Sequence, residues 1–378
     1  MDSVARRIGA SLPAIGIGAA LVVGLWLLPD LTPSDAIPVI GQQTDRGRIV
    51  EDLGTDATGL PLFVVELPGG ERVEAVVQDG SAAMPGISSR QPYEVGDDVV
   101  VTRFGGPAAV PFAAITEPWR LPLLGLVAAI FAAAVLVVGG LRGARSLVAL
   151  ALTLTVVVKL VVPLLLRGFD PILLAVGVAA AVTLATLLLT EGFSRITLAA
   201  TVGTCAALVL TALLAAAFTA AAGFTALQGN ESIAFLIPLV GDRIDLNGIL
   251  LAATVFGALG VLDDVTVTQA ATVEQLHRAE PTARRGGVVR RAMRVGRSHI
   301  AATVNTLMLA YLGAGLPLLL LFALGGQSPL VVLNGELVAV EVIRALVGSI
   351  GIVAAVPLTT LIAAAVMVPA EPAASTAA

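Results

Sequence analysis

The feature that most constrains this chain is a series of apolar runs, each long enough to cross a lipid bilayer. A hydrocarbon core of roughly 30 Å needs about 20 apolar residues of helix. Eight stretches meet that length: 8–28, 121–139, 146–166, 171–190, 196–219, 247–266, 301–323 and 345–367. Only 13% of the 378 residues are charged and 57% are hydrophobic, whereas a soluble domain carries about 25% charged residues. What charge there is lies between the runs rather than along them. The expected fold is therefore mainly α, a polytopic transmembrane bundle of about eight helices with a small extracytoplasmic β-barrel or sandwich domain.

The same scarcity excludes several functions. Cys205 is the single cysteine and lies in an apolar run, so one chain can form neither a disulfide framework nor a cysteine metal site. His277 and His299 are the only imidazoles, and neither a metal nor a cofactor is expected. A net charge of −5 gives no reason to expect a nucleic-acid partner. There is no phosphate-binding Gly-Lys-Ser/Thr loop, no His-Glu-x-x-His and no Gly-x-Ser-x-Gly, and no catalytic residues are visible, so the chain is not expected to be an enzyme.

Arginine placement sets the expected orientation, because short cytoplasmic loops carry an excess of Arg and Lys. With the N-terminus inside, the inner segments hold Arg6 and Arg7, then Arg142 and Arg145, then Arg195. The loop 267–300 follows, with Arg278, Arg284, Arg285, Arg290, Arg291, Arg294 and Arg297. The short outer connections hold little more than Arg167 and Arg243. The expected organisation is a cytoplasmic N-terminus and first anchor at 1–28, an outside domain at 29–118, a seven-helix membrane domain at 119–368 and a cytoplasmic tail at 369–378. The first run reads as a retained anchor, since no small-x-small cleavage site follows Trp26-Leu27-Leu28-Pro29. The arginine cluster 278–297 is expected to touch anionic lipid.

The segment 29–118 holds five arginines against fourteen acids and is expected to face water. Short alternating runs at 48–51, 62–67, 72–77 and 98–103, separated by Pro68-Gly69-Gly70 and Gly96-Asp97, predict four to six strands of an OB-like or SH3-like domain. In the connection 220–246, the run Ile233 to Val240 contains Pro238 and is too short to cross a bilayer. It is expected to lie at the outer interface.

Ionisable residues within a bilayer cost about 2.5–3.5 kcal/mol each on insertion scales, so each is a functional candidate. In the sixth run Ala253, Gly257, Gly260 and Asp264 share one face. Small residues let another helix approach closely, so Asp264 is expected to point into the bundle, with Asp263 turned about 100° away on the side of Phe256 and Leu259. In the seventh run His299, Thr303, Thr306, Ala310, Gly313 and Pro317 form a matching stripe with Asn305 beside it. If the two helices are antiparallel neighbours, Asp264 and His299 form a pair able to trade a proton near neutral pH, with Thr303, Asn305 and Thr306 lining its path. The other reading has His299 capping its helix or meeting headgroups. In the eighth run Glu341, Arg344, Gly348, Gly351 and Ala355 recur on one face, with Glu341 and Arg344 a local, structural ion pair. Gly257, Gly260, Gly313, Gly348, Gly351 and Ala253 are the expected close-packing positions. Lys159 lies in the third run, where it can snorkel towards the headgroups.

Three ordered blocks carry a family resemblance. They are Ile244–Gly248 with Gly257–Val265, then Thr303–Gly313 with Leu316–Leu319, then Arg344–Gly351 with Pro357–Thr359. Over about 120–367 the chain resembles the YibE/F family. The resemblance implies a multi-pass plasma-membrane protein of bacteria and carries no established substrate. In layout the chain is also similar to half of a resistance-nodulation-division permease, or to the Sec accessory proteins, where intramembrane acids couple proton flow to external work. Two functions are therefore expected to compete. One is a transporter-like or proton-coupled protein whose outer domain engages an unknown cargo or envelope protein. The other is a non-transporting scaffold or sensor.

Overall fold

The computed structural model describes residues 2–29, 31, 42–78, 93–106, 109–225, 244–326 and 328–369. The expected interfacial run 233–240 and most of the tail 369–378 lie outside the described residues. The chain divides into two compact units, Met1–Ser34 with Val138–Ala378, and Asp35–Val137.

The smaller unit contains a closed barrel of five strands: β1 (Gln42–Thr55), β2 (Pro61–Glu66), β3 (Arg72–Val77), β4 (Asp98–Gly106) and β5 (Ala109–Pro118). The order around it is β1-β2-β3-β5-β4, and β1 closes on β4. The β3–β5 pairing is parallel and the others are antiparallel. The outcome is a barrel rather than a sandwich, and closure leaves no sheet edge to pair with another chain. Alternation along each strand sends Ile49, Phe63, Val65, Ala75, Val77, Val99, Val101 and Ile115 into one core. Gly47 is required where β1 crosses that core, because a Cβ there would collide with Val65. The turn after Pro68 uses Gly69 and Gly70 at φ 110° and 83°, in the left-handed region that glycine enters freely. β5 was the strand without a clear sequence run; Pro111 interrupts its alternation, and proline is confined to strand positions that need no N–H donor.

Two outcomes are expected for this barrel. Ile115→Ala should lower its unfolding free energy by about 2–5 kcal/mol, read as faster amide exchange in β3, β4 and β5 of the full chain. At the β1–β2 turn, the Asp56 carboxylate accepts from the Thr58 hydroxyl and from the amides of Thr58 and Leu60 at 2.7, 2.8 and 2.9 Å. These bonds, the hydroxyl first, hold Asp56 below the usual carboxylate pKa. The turn is therefore fully supported above the ordinary carboxylate value and loses support as pH falls through the depressed one. Amide exchange at Thr58 and Leu60 should rise in that acid window before the barrel opens.

The larger unit begins with α1 (Asp2–Leu27) and continues through the second part of α2 (Leu121–Val156). A π-helical turn at Val157–Val161 joins α2 to α3 (Val162–Leu166). Then come α4 (Pro171–Thr190), α5 (Arg195–Ala222), α6 (Leu246–Ala279), α7 (Arg285–Ala314), α8 (Leu316–Leu324), α9 (Pro329–Asn334) and α10 (Glu336–Met367). Five stretches are long and apolar enough to cross a membrane: Leu121–Leu166, α4, α5, α6 and α10. A sixth is α7 with α8, bent by 55°, if that pair is one span. The smaller number than eight has two causes. The runs 121–139 and 146–166 join into one stretch, broken at Gly140 where φ is 54°, and in α1 the apolar helix counted among the described residues is the shorter Pro13–Leu27.

Capping sets the helix starts. Asp170 accepts the Leu173 amide at 2.8 Å ahead of α4, and Ser194 accepts the Thr197 amide at 3.1 Å ahead of α5. α6 is the central helix, packed on α4, α5, α7 and α10. Its Val255, Ala258, Leu259, Leu262 and Val265 join Val178, Val182, Leu208, Ile352 and Val356 in the main core. α5 and α10 approach through two reciprocal contacts. A Cβ at Gly203 would run into Thr359, and one at Gly351 would run into Thr211. The two glycine-to-threonine spacings are equal on the two helices, so each glycine receives the other helix's threonine two turns apart.

Candidate functional site

The acid of α6 that meets other helices is Asp263, which is half-buried. α6 turns it towards α4 and α5, and the Thr183 hydroxyl of α4 donates to its Oδ1 at 2.9 Å. Thr204 of α5 stands near the carboxylate. The Thr204 hydroxyl meets that of Thr266 at 2.7 Å, and Thr266 in turn reaches the Asp263 carbonyl at 3.1 Å. Thr183, Thr204 and Thr266 are completely buried. A carboxyl group thus sits among three threonine hydroxyls from three helices, within otherwise apolar packing. One turn further on, Gln269 donates Nε2 to the Thr360 hydroxyl at 2.6 Å and to the Ala292 carbonyl at 3.1 Å, tying α6 to α10 and α7.

Asp264 faces the other way, and this reverses the expected ranking of the two acids. Ala253, Gly257, Gly260 and Asp264 do form one stripe, but all four are exposed. The stripe of small residues permits close approach without providing apolar area to bury, and α6 makes its contacts through its larger residues instead. Beside Gly257, Tyr311 of α7 leans over the backbone, so a Cβ there would lie 2.9 Å from the phenol oxygen. Among the described residues nothing approaches Gly260 or Gly313 in this way. Gly348 meets Leu307 and Ala258 at ordinary contact distances, and Gly351 is the tight position described above.

His299 is half-buried and lies within electrostatic reach of Asp264, although no hydrogen bond or ion pair joins the two among the described residues. Thr303 is half-buried on the same side of α7. Asn305 and Thr306 are exposed, and Thr306 spends its hydroxyl on the Ala302 carbonyl at 3.0 Å. Those two therefore do not line an interior path with Asp263. The reason is that α7 touches the bundle along a narrow strip, with Leu307 its only buried described residue beyond Gly296. Glu341 and Arg344 pair at 2.7 Å, one turn apart, as their spacing implies. Lys159, in the π-helical turn, stands 4.9 Å from the centre of the Trp26 ring, and Trp26 donates to Thr155 at 3.3 Å.

The residues that sequence reasoning did not select are Thr183, Thr204, Thr266, Gln269 and Thr360. A partial signal exists for one of them, since Thr204 follows Gly203 in a run of small residues where a neighbouring helix can come close. The meeting of Thr183 with Asp263 joins positions 80 apart and has no local signature. Among the described residues no cluster of three metal-ligating side chains occurs.

A family model described as YibE/F-like protein matches residues 127–369. No curated protein and no solved structure matches the chain.

Proposed function

We propose, from the premise that this chain belongs to the YibE/F-like protein family, that its helices form a transporter-like, proton-coupled bundle with Asp263 as the coupling acid. The observation that carries this reading is the half-buried Asp263 carboxylate, bonded by Thr183 and close to Thr204 between long apolar helices. A charge there is costly, so its loading and unloading is tied to what the surrounding helices allow. The threonines offer two arrangements. With Asp263 ionised, Thr183 and Thr204 both donate to it and Thr266 donates to Thr204. With Asp263 protonated, Thr204 donates to Thr266, which donates its own hydrogen bond to the Asp263 backbone carbonyl. One proton at Asp263 thus rearranges bonds between α4, α5 and α6. The exposed Asp264 and the nearby His299 serve as the station from which protons arrive.

In this reading the chain crosses a plasma membrane eight times. The break at Gly140 supports dividing Leu121–Leu166 into two crossings, and α1 supplies a further one. The arginine distribution supports both termini on the cytoplasmic side and the barrel outside. The protein is a carrier rather than an enzyme, and the barrel engages its cargo or an envelope partner. A second reading is favoured by the separate, fully closed barrel core: a scaffold or sensor in which the barrel binds and the helices anchor it.

The two readings are separated by proton uptake into proteoliposomes holding the full chain or a variant lacking 36–115. A proton-coupled bundle gives uptake driven by an imposed pH gradient, and the Asp263→Asn variant abolishes it. A scaffold gives no uptake with either chain, and only the full chain captures a partner through the barrel.

A further inference from the structure

The arginines from the last turn of α6 onward divide into those the fold uses and those it leaves. Arg285 places Nε and Nη2 on the Val368 carbonyl at 3.0 and 2.7 Å, clamping the start of α7 to the end of α10. Arg291 pairs with Glu280 at 2.7 Å, and Arg278 with Glu274 at 3.0 Å. Arg290, Arg294 and Arg297 are exposed and have no acidic partner among the described residues. They recur at spacings of four and three, which places them on one face of α7. That face lies opposite the one through which Val288, Ala292 and Gly296 are buried.

The same face continues along the helix beyond the arginines. Asn305, Met308 and Leu312 lie on it and are exposed. Counting from Ala301, the stretch to Leu312 rises about 16 Å, close to the depth of one hydrocarbon leaflet, about 15 Å. One helix face therefore presents three guanidinium groups, then an amide about 6 Å past Ala301, then apolar side chains. This is the order of groups in a phospholipid: phosphate, then acyl chain. Guanidinium forks match phosphate oxygens in pairs.

We propose that this face of α7 binds an anionic phospholipid of the cytoplasmic-side leaflet. Its phosphate lies on Arg290, Arg294 and Arg297, and its chain runs past Asn305 along Met308 and Leu312. The proposal rests on the reading that the second half of α7 lies in the bilayer and makes no use of proton coupling. Arg285, Arg291 and Arg278 are occupied by the fold, and Arg284, exposed at the N-cap ahead of α7, lies off this face; none of them takes part.

Native mass spectrometry of the full chain in detergent, with added phosphatidylglycerol, phosphatidylcholine or inorganic phosphate, tests it. Each arginine near a membrane surface contributes about a fivefold gain in affinity for anionic lipid, so the R290Q/R294Q/R297Q variant should hold phosphatidylglycerol of the order of 100-fold more weakly. It should then bind phosphatidylglycerol no better than phosphatidylcholine, while R278Q/R284Q keeps the wild-type preference. Wild-type retention should also fall with added salt. The proposal is overturned if the triple variant keeps its preference, if R278Q/R284Q loses it equally, or if millimolar inorganic phosphate displaces the lipid, which marks a soluble-anion site. Should the triple variant not fold, R294Q alone must give a partial, salt-sensitive loss, and an unchanged preference in that variant overturns the proposal as well. Because the readout is lipid retention, a protein that moves no protons can still pass this test.

Discussion

Asp263→Asn is expected to lower proton-coupled activity by at least about 100-fold, the lower end of what a positioned proton-transfer group contributes, while the protein stays folded in the membrane. The amide is nearly isosteric, and its oxygen can still accept from Thr183, as the carboxylate does at 2.9 Å. The variant therefore keeps the packing of α6 on α4 and removes only the exchangeable proton. Asp264→Asn is the matching control. Its side chain is exposed and receives no hydrogen bond among the described residues, so it should slow proton arrival and leave a measurable rate. Proton uptake into proteoliposomes, normalised to protein incorporated, distinguishes the two. Equal loss in both variants would return the coupling role to the pair, and full activity in Asp263→Asn would remove that acid from the mechanism. Thr204→Val adds an independent check, because it deletes the hydroxyl that can turn between Asp263 and Thr266 at almost constant volume.

The second large effect is expected at the α5–α10 crossing. Gly203→Ala forces a methyl against Thr359, whose Cβ would lie 3.0 Å away, and overpacking of this kind costs about 1–3 kcal/mol. Thr359→Ala should cost little by itself, since its hydroxyl is buried without a partner among the described residues and its removal relieves an unmade hydrogen bond. The double variant Gly203→Ala/Thr359→Ala should then recover most of the loss, with a coupling of about 0.5–3 kcal/mol as for residues in direct contact. Thermal unfolding in detergent measures each corner of the cycle. Additive losses would mean that the helices do not approach through this contact. The reciprocal pair behaves differently: Thr211 donates to the Ala207 carbonyl at 2.8 Å, so Thr211→Ala relieves no unmade hydrogen bond and should rescue Gly351→Ala less completely.

How far the site was legible depended on whether its signal was local. The Glu341–Arg344 pair is one helical turn and was readable from spacing. The strands were readable too, because a half-buried strand in water alternates apolar and polar residues, and Ile49, Val65, Val99 and Val101 follow that alternation into the core. The direction of Asp264 was misread for a reason of the same kind. In a water-soluble helix, polarity marks the outer face; in a helix made for lipid, both faces are apolar and that mark is lost. The small-residue stripe was the remaining contrast, and it lay on the exposed side of α6.

The sequence by itself determined that this protein belongs to the membrane class, that it carries a small β domain, and that its positive charge gathers after α6. Those properties follow from run length, period and composition, which neighbouring residues fix among themselves. Tertiary structure alone decided that Asp263 turns towards α4 and α5, that Thr183 donates to it, and that Arg290, Arg294 and Arg297 are left facing outward. These outcomes depend on which of several equally apolar faces α6 and α7 bury, a choice made by side-chain volumes on helices far apart in the chain.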